Sequence, residues 1–118
     1  MGRFTIRQVK TGIKFDLKAA NGQAILSSEV YTALDACRKG IESVRKVAPF
    51  APVEDRTEEP FAPMPHPKFE LYRDKSGLYR FRLKSRNGKV IGFSDAYRTK
   101  AGALEGIESV KVNASDGI

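Results

Sequence analysis

A chain of 118 residues, 41% of them hydrophobic, suits one compact domain or two very small ones, and this composition excludes global disorder. Its 21 Lys and Arg against 14 Asp and Glu leave a net charge of +7, a balance that favours acidic partners such as nucleic acid. The single cysteine, Cys37, excludes an internal disulfide, no run approaches the roughly 20 apolar residues that span a bilayer, and no secretory leader is visible, so a reducing cytoplasm is the expected setting.

In chain order, the first predicted element is a strand over Arg3 to Val9, with Phe4 and Ile6 on one side. A turn at Gly12 leads into a second strand. There Phe15 and Leu17 face one way and Lys14, Asp16 and Lys18 the other. The pair Asn21-Gly22 turns the chain into a third strand near Gln23 to Ser28. A two-residue turn here would set Leu17 opposite Leu26. A three-residue loop over Ala20, Asn21 and Gly22, with Gly22 left-handed, sets Leu17 opposite Ile25 and is the register adopted. A helix follows Tyr31, with Thr32 or Asp35 as its cap and Ala33, Cys37, Ile41, Val44 and Ala48 on its buried stripe.

Residues 49–67 contain all six prolines and read as an extended connector. It carries one basic and four acidic groups, whereas residues 1–48 and 68–118 are each net +5. A solvated tether is the favoured reading of this linker. A second reading lays it against a basic sheet face, where it would compete with an acidic ligand, and a third makes it a proline-rich peptide ligand.

From Lys68 the pattern begins again. With a shift of 66, Phe81, Leu83, Lys84, Asn87, Gly88, Ile91, Ser94 and Tyr97 repeat Phe15, Leu17, Lys18, Asn21, Gly22, Ile25, Ser28 and Tyr31. The string GIESV occurs at Gly40 to Val44 and again at Gly106 to Val110. That makes 13 identities over residues 15–45, where chance gives about two. The chain therefore reads as a tandem duplication. The fold class is α+β, two β-β-β-α units with antiparallel sheets and one helix per unit, related by a pseudo-twofold axis. The units span 1–48 and 68–118 on either side of the linker. The second helix takes Thr99 as its cap, and its stripe is Thr99, Ala103, Ile107, Val110 and Ala114. Gly40 and Gly106, which cost a helix interior about 1 kcal/mol each, imply a close approach by a strand or helix.

The segments FDLKAANGQAILSSEVY with GIESVR, and FRLKSRNGKVIGFSDAY with GIESVK, resemble the YegP-like family of small bacterial proteins with one or two copies of a domain of unknown function. The resemblance covers most of the chain outside the linker. It implies an α+β fold in which two such units pair about a pseudo-twofold axis, and it implies no activity.

Catalytic chemistry finds little support. His66, the only histidine, sits among prolines, and Cys37 is matched by Ala103, a small buried helix position. No cluster has metal-ligand spacing, and Glu54-Asp55 and Glu58-Glu59 lie in a linker too mobile for catalytic geometry. No enzyme, cofactor, metal or membrane role is expected. The recurring Ser28, Ser94, Tyr31, Tyr97, Asn21 and Asn87 are assigned to structure. The strongest functional feature is a basic stripe of Arg80, Arg82 and Lys84, with Arg86 and Lys89 at the following turn and Lys18 as the first unit's contribution, set beside Tyr72 and Tyr97. The expected function is a non-enzymatic interaction module, through self-association or a protein partner. The alternative is weak, nonspecific nucleic-acid binding through that stripe.

Overall fold

Alternating apolar and polar residues build six of the seven strands where the periodicity places them. In the computed structural model, which describes residues 2–116, the elements are β1 (Arg3–Val9), β2 (Gly12–Lys18), β3 (Ala24–Ser27), α1 (Leu34–Val47), β4 (Val53–Asp55), β5 (Lys68–Arg73), β6 (Tyr79–Lys84), β7 (Val90–Phe93) and α2 (Lys100–Asp116). The strands form one mixed sheet in the order β1-β2-β3-β7-β6-β5-β4. This corrects the expectation of separate antiparallel sheets in two ways. β3 pairs with β7, with Ser27 opposite Phe93, and joins the halves into one sheet. β4, from the proline-rich segment, adds to β5 in parallel. The solvated tether is corrected with it, because Glu54 at the middle of β4 is fully buried.

Phe15, Leu17, Leu26, Phe69, Leu71, Phe81, Leu83 and Ile91 line one face of the sheet, and the buried stripes of both helices complete the core. At about 25 cal/mol per Å² of apolar surface removed from water, this shared core is the main stabilising term. Of the expected stripes, Cys37, Ile41, Val44 and Ala48 are buried, as are Ala103, Ile107, Val110 and Ala114, whereas Ala33 and Thr99 are exposed at the starts of α1 and α2. Neither Thr32 nor Asp35 caps that helix; Asp35 instead lies in the first turn, favourable to the helix dipole. Thr99 does cap α2, its hydroxyl accepting from the Gly102 N–H at 3.0 Å.

GIESV acts as a packing box against an aromatic ring. A Cβ on Gly40 would collide with the Tyr31 hydroxyl and lie 2.9 Å from its Cζ and 3.0 Å from Phe15 Cε2. On Gly106 it would collide with the Tyr97 hydroxyl and lie 2.8 Å from its Cζ and 3.1 Å from Phe81 Cε2. The close approach is therefore a tyrosine side chain sliding beneath each helix, stacked on the strand phenylalanine, rather than another backbone. Ser28 and Ser94 support both rings. Each hydroxyl accepts from the Phe15 or Phe81 N–H at 2.9 Å and donates to the carbonyl of Glu29 or Asp95 at 2.7 Å.

The β2–β3 loop is the three-residue form expected, closed by the Ala19 N–H on the Gln23 carbonyl, with Gly22 at φ +84°. The predicted pairing is nevertheless corrected. Lys18 lies opposite Ala24 but Leu17 opposite Leu26, so Ile25 is an extra residue bulged between them. β6 and β7 do the same around Ile91, with Leu83 opposite Gly92. Leu26 and Gly92 hold equivalent positions in the two halves, and they meet where β3 joins β7. A Cβ on Gly92 would stand 2.6 to 3.0 Å from the Leu26 side chain, so there is room for one leucine there and not two.

Two packing predictions follow from these contacts. Gly92→Leu should destabilise the protein by about 3 kcal/mol in chemical denaturation through overpacking, and Leu26→Gly added to it should restore much of that loss. Gly40→Ala, a change that stabilises an ordinary exposed helix, should cost about 1–3 kcal/mol here. Tyr31→Phe should recover part of the loss by removing the colliding hydroxyl.

Candidate functional site

The face of the sheet opposite the helices carries the predicted basic residues. Strand alternation places Arg80, Arg82 and Lys84 there together, and Lys18 at the far end of β2 on the same face. Each member of the β6 stripe faces an acid. Arg80 Nε bonds Asp74 at 2.7 Å and Arg82 Nε bonds Glu70 at 2.6 Å. Lys84 Nζ is 3.4 Å from Glu70. The Tyr72 ring sits under the Arg82 guanidinium, 4.7 Å from ring centre to Cζ. Tyr97, expected beside the stripe, is on the other face, stacked on Phe81 within the core.

The acids come from β5, from the turn that follows it and from the proline-rich segment. Glu54 lies directly opposite Glu70 in the parallel pair, and both are fully buried. Two adjacent buried carboxylates are stable only when cations surround them. Lys68 Nζ is 2.7 Å from Glu54 and 3.3 Å from Glu70, and Arg56 bridges the same two carboxylates. Glu70 Oε2 makes no hydrogen bond but has three cations 3.1 to 3.4 Å away. The segment beyond β4 closes over this lattice. The Met64 N–H donates to Glu54 at 2.7 Å, and the Phe61 ring lies against Arg56. Lys100 of α2 reaches Asp55 on the other side of β4. Burial pushes the Glu54 carboxyl upward, but the bonds from Lys68, Met64 and Arg56 outweigh it and hold the group at about 2. The Lys68 ammonium, bonded to Glu54, is held above its ordinary value. Glu54-Asp55 are thus fixed residues, which corrects their placement in a mobile linker, and every group here is committed to an ion pair.

Arg86 and Lys89 have a different setting. Both are exposed on the β6–β7 turn, which faces α1 across a cleft of about 340 Å³ that adjoins a second of about 270 Å³. Lys39 and Lys46 enter these clefts from α1, with Ser43 and Asn87 between them. None of these four cations forms an ion pair with a described residue. The stripe is therefore split: its strand half is neutralised, and its turn half joins two lysines of α1. Sequence reasoning missed Lys39 and Lys46. The available signal was their spacing with Ser43 along one helical face, and the fact that the positions 66 residues on are Glu105 and Val112.

Among the described residues no three His, Cys, Asp or Glu side chains come together as metal ligands, and no helix is long and apolar enough to cross a membrane. Cys37 is buried in the core, and His66 is exposed with its ring over Gly88.

This architecture, an α+β fold with a seven-stranded mixed sheet backed by two helices, is shared with solved structures. The solution structure of yegP, a protein of unknown function from Escherichia coli, superposes with a TM-score of 0.78 at 33% identity, covering 98% of this chain and 88% of that one. A UPF0339 protein from Shewanella oneidensis gives 0.79 at 30% identity, covering 97% and 85%. The family model described as "Domain of unknown function (DUF1508)" matches residues 11–55 and again 74–117, and the chain belongs to that family. Its relatives include the UPF0339 protein in the ptx operon 5′ region of Stutzerimonas stutzeri, 39% identical over 116 residues, 98% of this chain and 91% of that protein. A UPF0339 protein of Treponema denticola is 61% identical over 49 residues, which cover 42% of this chain and 84% of that protein.

The buried lattice predicts an acid-sensitive fold. Glu54 contributes its stability fully above the ordinary carboxylate value of 4.5, and that contribution is lost as pH falls through about 2. Glu54→Gln should flatten this part of a stability-against-pH curve measured by denaturant unfolding. It should also cost about 3 kcal/mol at pH 7, because Lys68 and Arg56 lose a charged partner.

Proposed function

We propose that this protein is a non-enzymatic interaction module made of two copies of one β-β-β-α unit, related by a pseudo-twofold axis between β3 and β7. The duplication is supported by the paired positions themselves. Ser27 and Phe93 are 66 residues apart and face each other, and the two tyrosine–glycine contacts repeat atom for atom. The observation that carries the functional reading is how the recurring polar residues are used. Ser28 and Ser94 bond backbone, Asn21 and Asn87 close their turns, and Tyr31 and Tyr97 pack beneath helices. None of them is left to act on a substrate. Such a module works through its surface, by self-association or by holding a protein partner in the cytoplasm. Sedimentation velocity over a concentration series, with in-cell crosslinking and mass spectrometry, tests this. A concentration-dependent dimer or a crosslinked protein partner is expected; strict monomers with no crosslinked partner would refute it.

A second reading, weak nucleic-acid binding, is favoured by the four unpaired cations of the α1 cleft rather than by the neutralised β6 stripe. Labelled duplex oligonucleotides should bind at low salt, with affinity falling roughly 100-fold between about 50 and 200 mM for four phosphate contacts. Arg86→Glu with Lys89→Glu should abolish binding and Arg80→Gln should leave it. Absence of binding at low salt would end this second reading.

A further inference from the structure

The two ends of the sheet are unequal. On β5, β4 lies parallel, with Val53 opposite Phe69 and Asp55 opposite Leu71. The Phe69 N–H donates to the Pro52 carbonyl and the Arg56 N–H to the Leu71 carbonyl, both at 2.8 Å. β1 is the corresponding strand of the first half, where Phe4 and Ile6 stand for Phe69 and Leu71. No described residue pairs with its outer edge. The difference shows in the side chains. Leu71 is fully buried, whereas Ile6 is 41% exposed and lines a groove of about 420 Å³ with Phe4 and Ile41.

Charge says what fits there. Beneath β4, Lys68 and Lys84 face each other across β5 and β6, and Lys68 is bonded to Glu54. The matching pair is Arg3 opposite Lys18, and neither forms an ion pair with a described residue. Where Glu70 supplies a carboxylate of its own, β1 has Thr5, and Asp16, opposite Thr5 on β2, is already engaged by Arg7 and Ser27, so an acid arriving from outside would meet Arg3 and Lys18 unpaired. A second copy of β1 fits poorly. Antiparallel pairing about Thr5 would set Arg3 opposite Arg7, and like charges directly opposite are destabilising.

We infer that the β1 edge is a docking site for an extended acidic peptide, which adds in parallel as β4 does on β5. It places an aliphatic side chain in the Phe4–Ile6–Ile41 groove and the next residue's carboxylate on Arg3 and Lys18. Main-chain bonds to the edge give affinity and the two side-chain positions give specificity. This deepens the interaction-module reading and rests on it.

The probe is a blocked synthetic peptide, Ala-Pro-Val-Glu-Asp-Arg-Thr, the sequence of residues 51–57. Added to the full-length, ¹⁵N-labelled protein, it should shift amide resonances along β1 and at Ile41. Replacing its Glu by Gln should weaken binding, and N-methylation of its Arg, whose counterpart Arg56 just beyond β4 donates to Leu71, should abolish it. Arg3→Glu with Lys18→Glu, two surface changes that leave the core intact, should weaken binding by about tenfold. Shifts confined to another surface, such as the α1 cleft, would overturn the β1 assignment while leaving the module reading in place. No shifts at millimolar peptide, or unchanged affinity after charge reversal or N-methylation, would overturn it as well. The module reading itself fails separately, in the sedimentation and crosslinking experiment.

Discussion

Each helix rests on the sheet through a ring that occupies the space where a helical side chain would be. Tyr31 and Tyr97 leave the strands just before α1 and α2, stack on Phe15 and Phe81, and pass under Gly40 and Gly106. Helical glycine is unfavourable by about 1 kcal/mol, but any side chain would lift the helix from the ring and open the core to water. Ile41, Val44, Ile107 and Val110, on the same helix faces, are buried against the sheet. The serine that precedes each tyrosine fixes the ring from the other direction by bonding the phenylalanine backbone.

Electrostatics play the corresponding part on the opposite face. That face has no helix over it, and its cations would repel one another if left alone. Glu70 and Glu54, buried side by side, hold Lys68, Arg82, Lys84 and Arg56 in one lattice, and the proline-rich segment lies over them. An overall charge of +7 therefore overstates how basic this surface is. The positive charge left unpaired gathers elsewhere: at the cleft between α1 and the β6–β7 turn, and at the outer end of β1 with Lys18.

Those two places are also where the halves of the chain diverge. Lys39, Lys46, Arg86 and Lys89 have Glu105, Val112, Ala20 and Gln23 as counterparts, and Glu70 has Thr5. Residues that maintain the unit recur in both halves, whereas these surface charges do not. The cleft joins α1 of the first half to the β6–β7 turn of the second, and its four cations have no basic counterparts 66 residues away.

Every strand except β4, both helices, most of their buried faces and the structural use of Ser28, Tyr31 and Asn21 were legible in the sequence, because each depends on local periodicity or on a turn that a few neighbouring residues set. The glycines of GIESV announced a close approach, though not that its agent was a tyrosine ring. Whether the basic stripe was free or neutralised was not legible, because Glu54 reaches Lys68 from 14 residues away through a parallel strand that three residues of a proline-rich stretch scarcely signal. The Ile25 bulge and the exchange of Leu26 for Gly92 were settled where β3 meets β7. The sequence by itself determined the repeating unit, since the unit's core and turns are built from its own residues. Only the tertiary structure decided the single sheet, the buried charge lattice and the open edge, because each arises from a meeting of distant segments competing for the same space or the same charge.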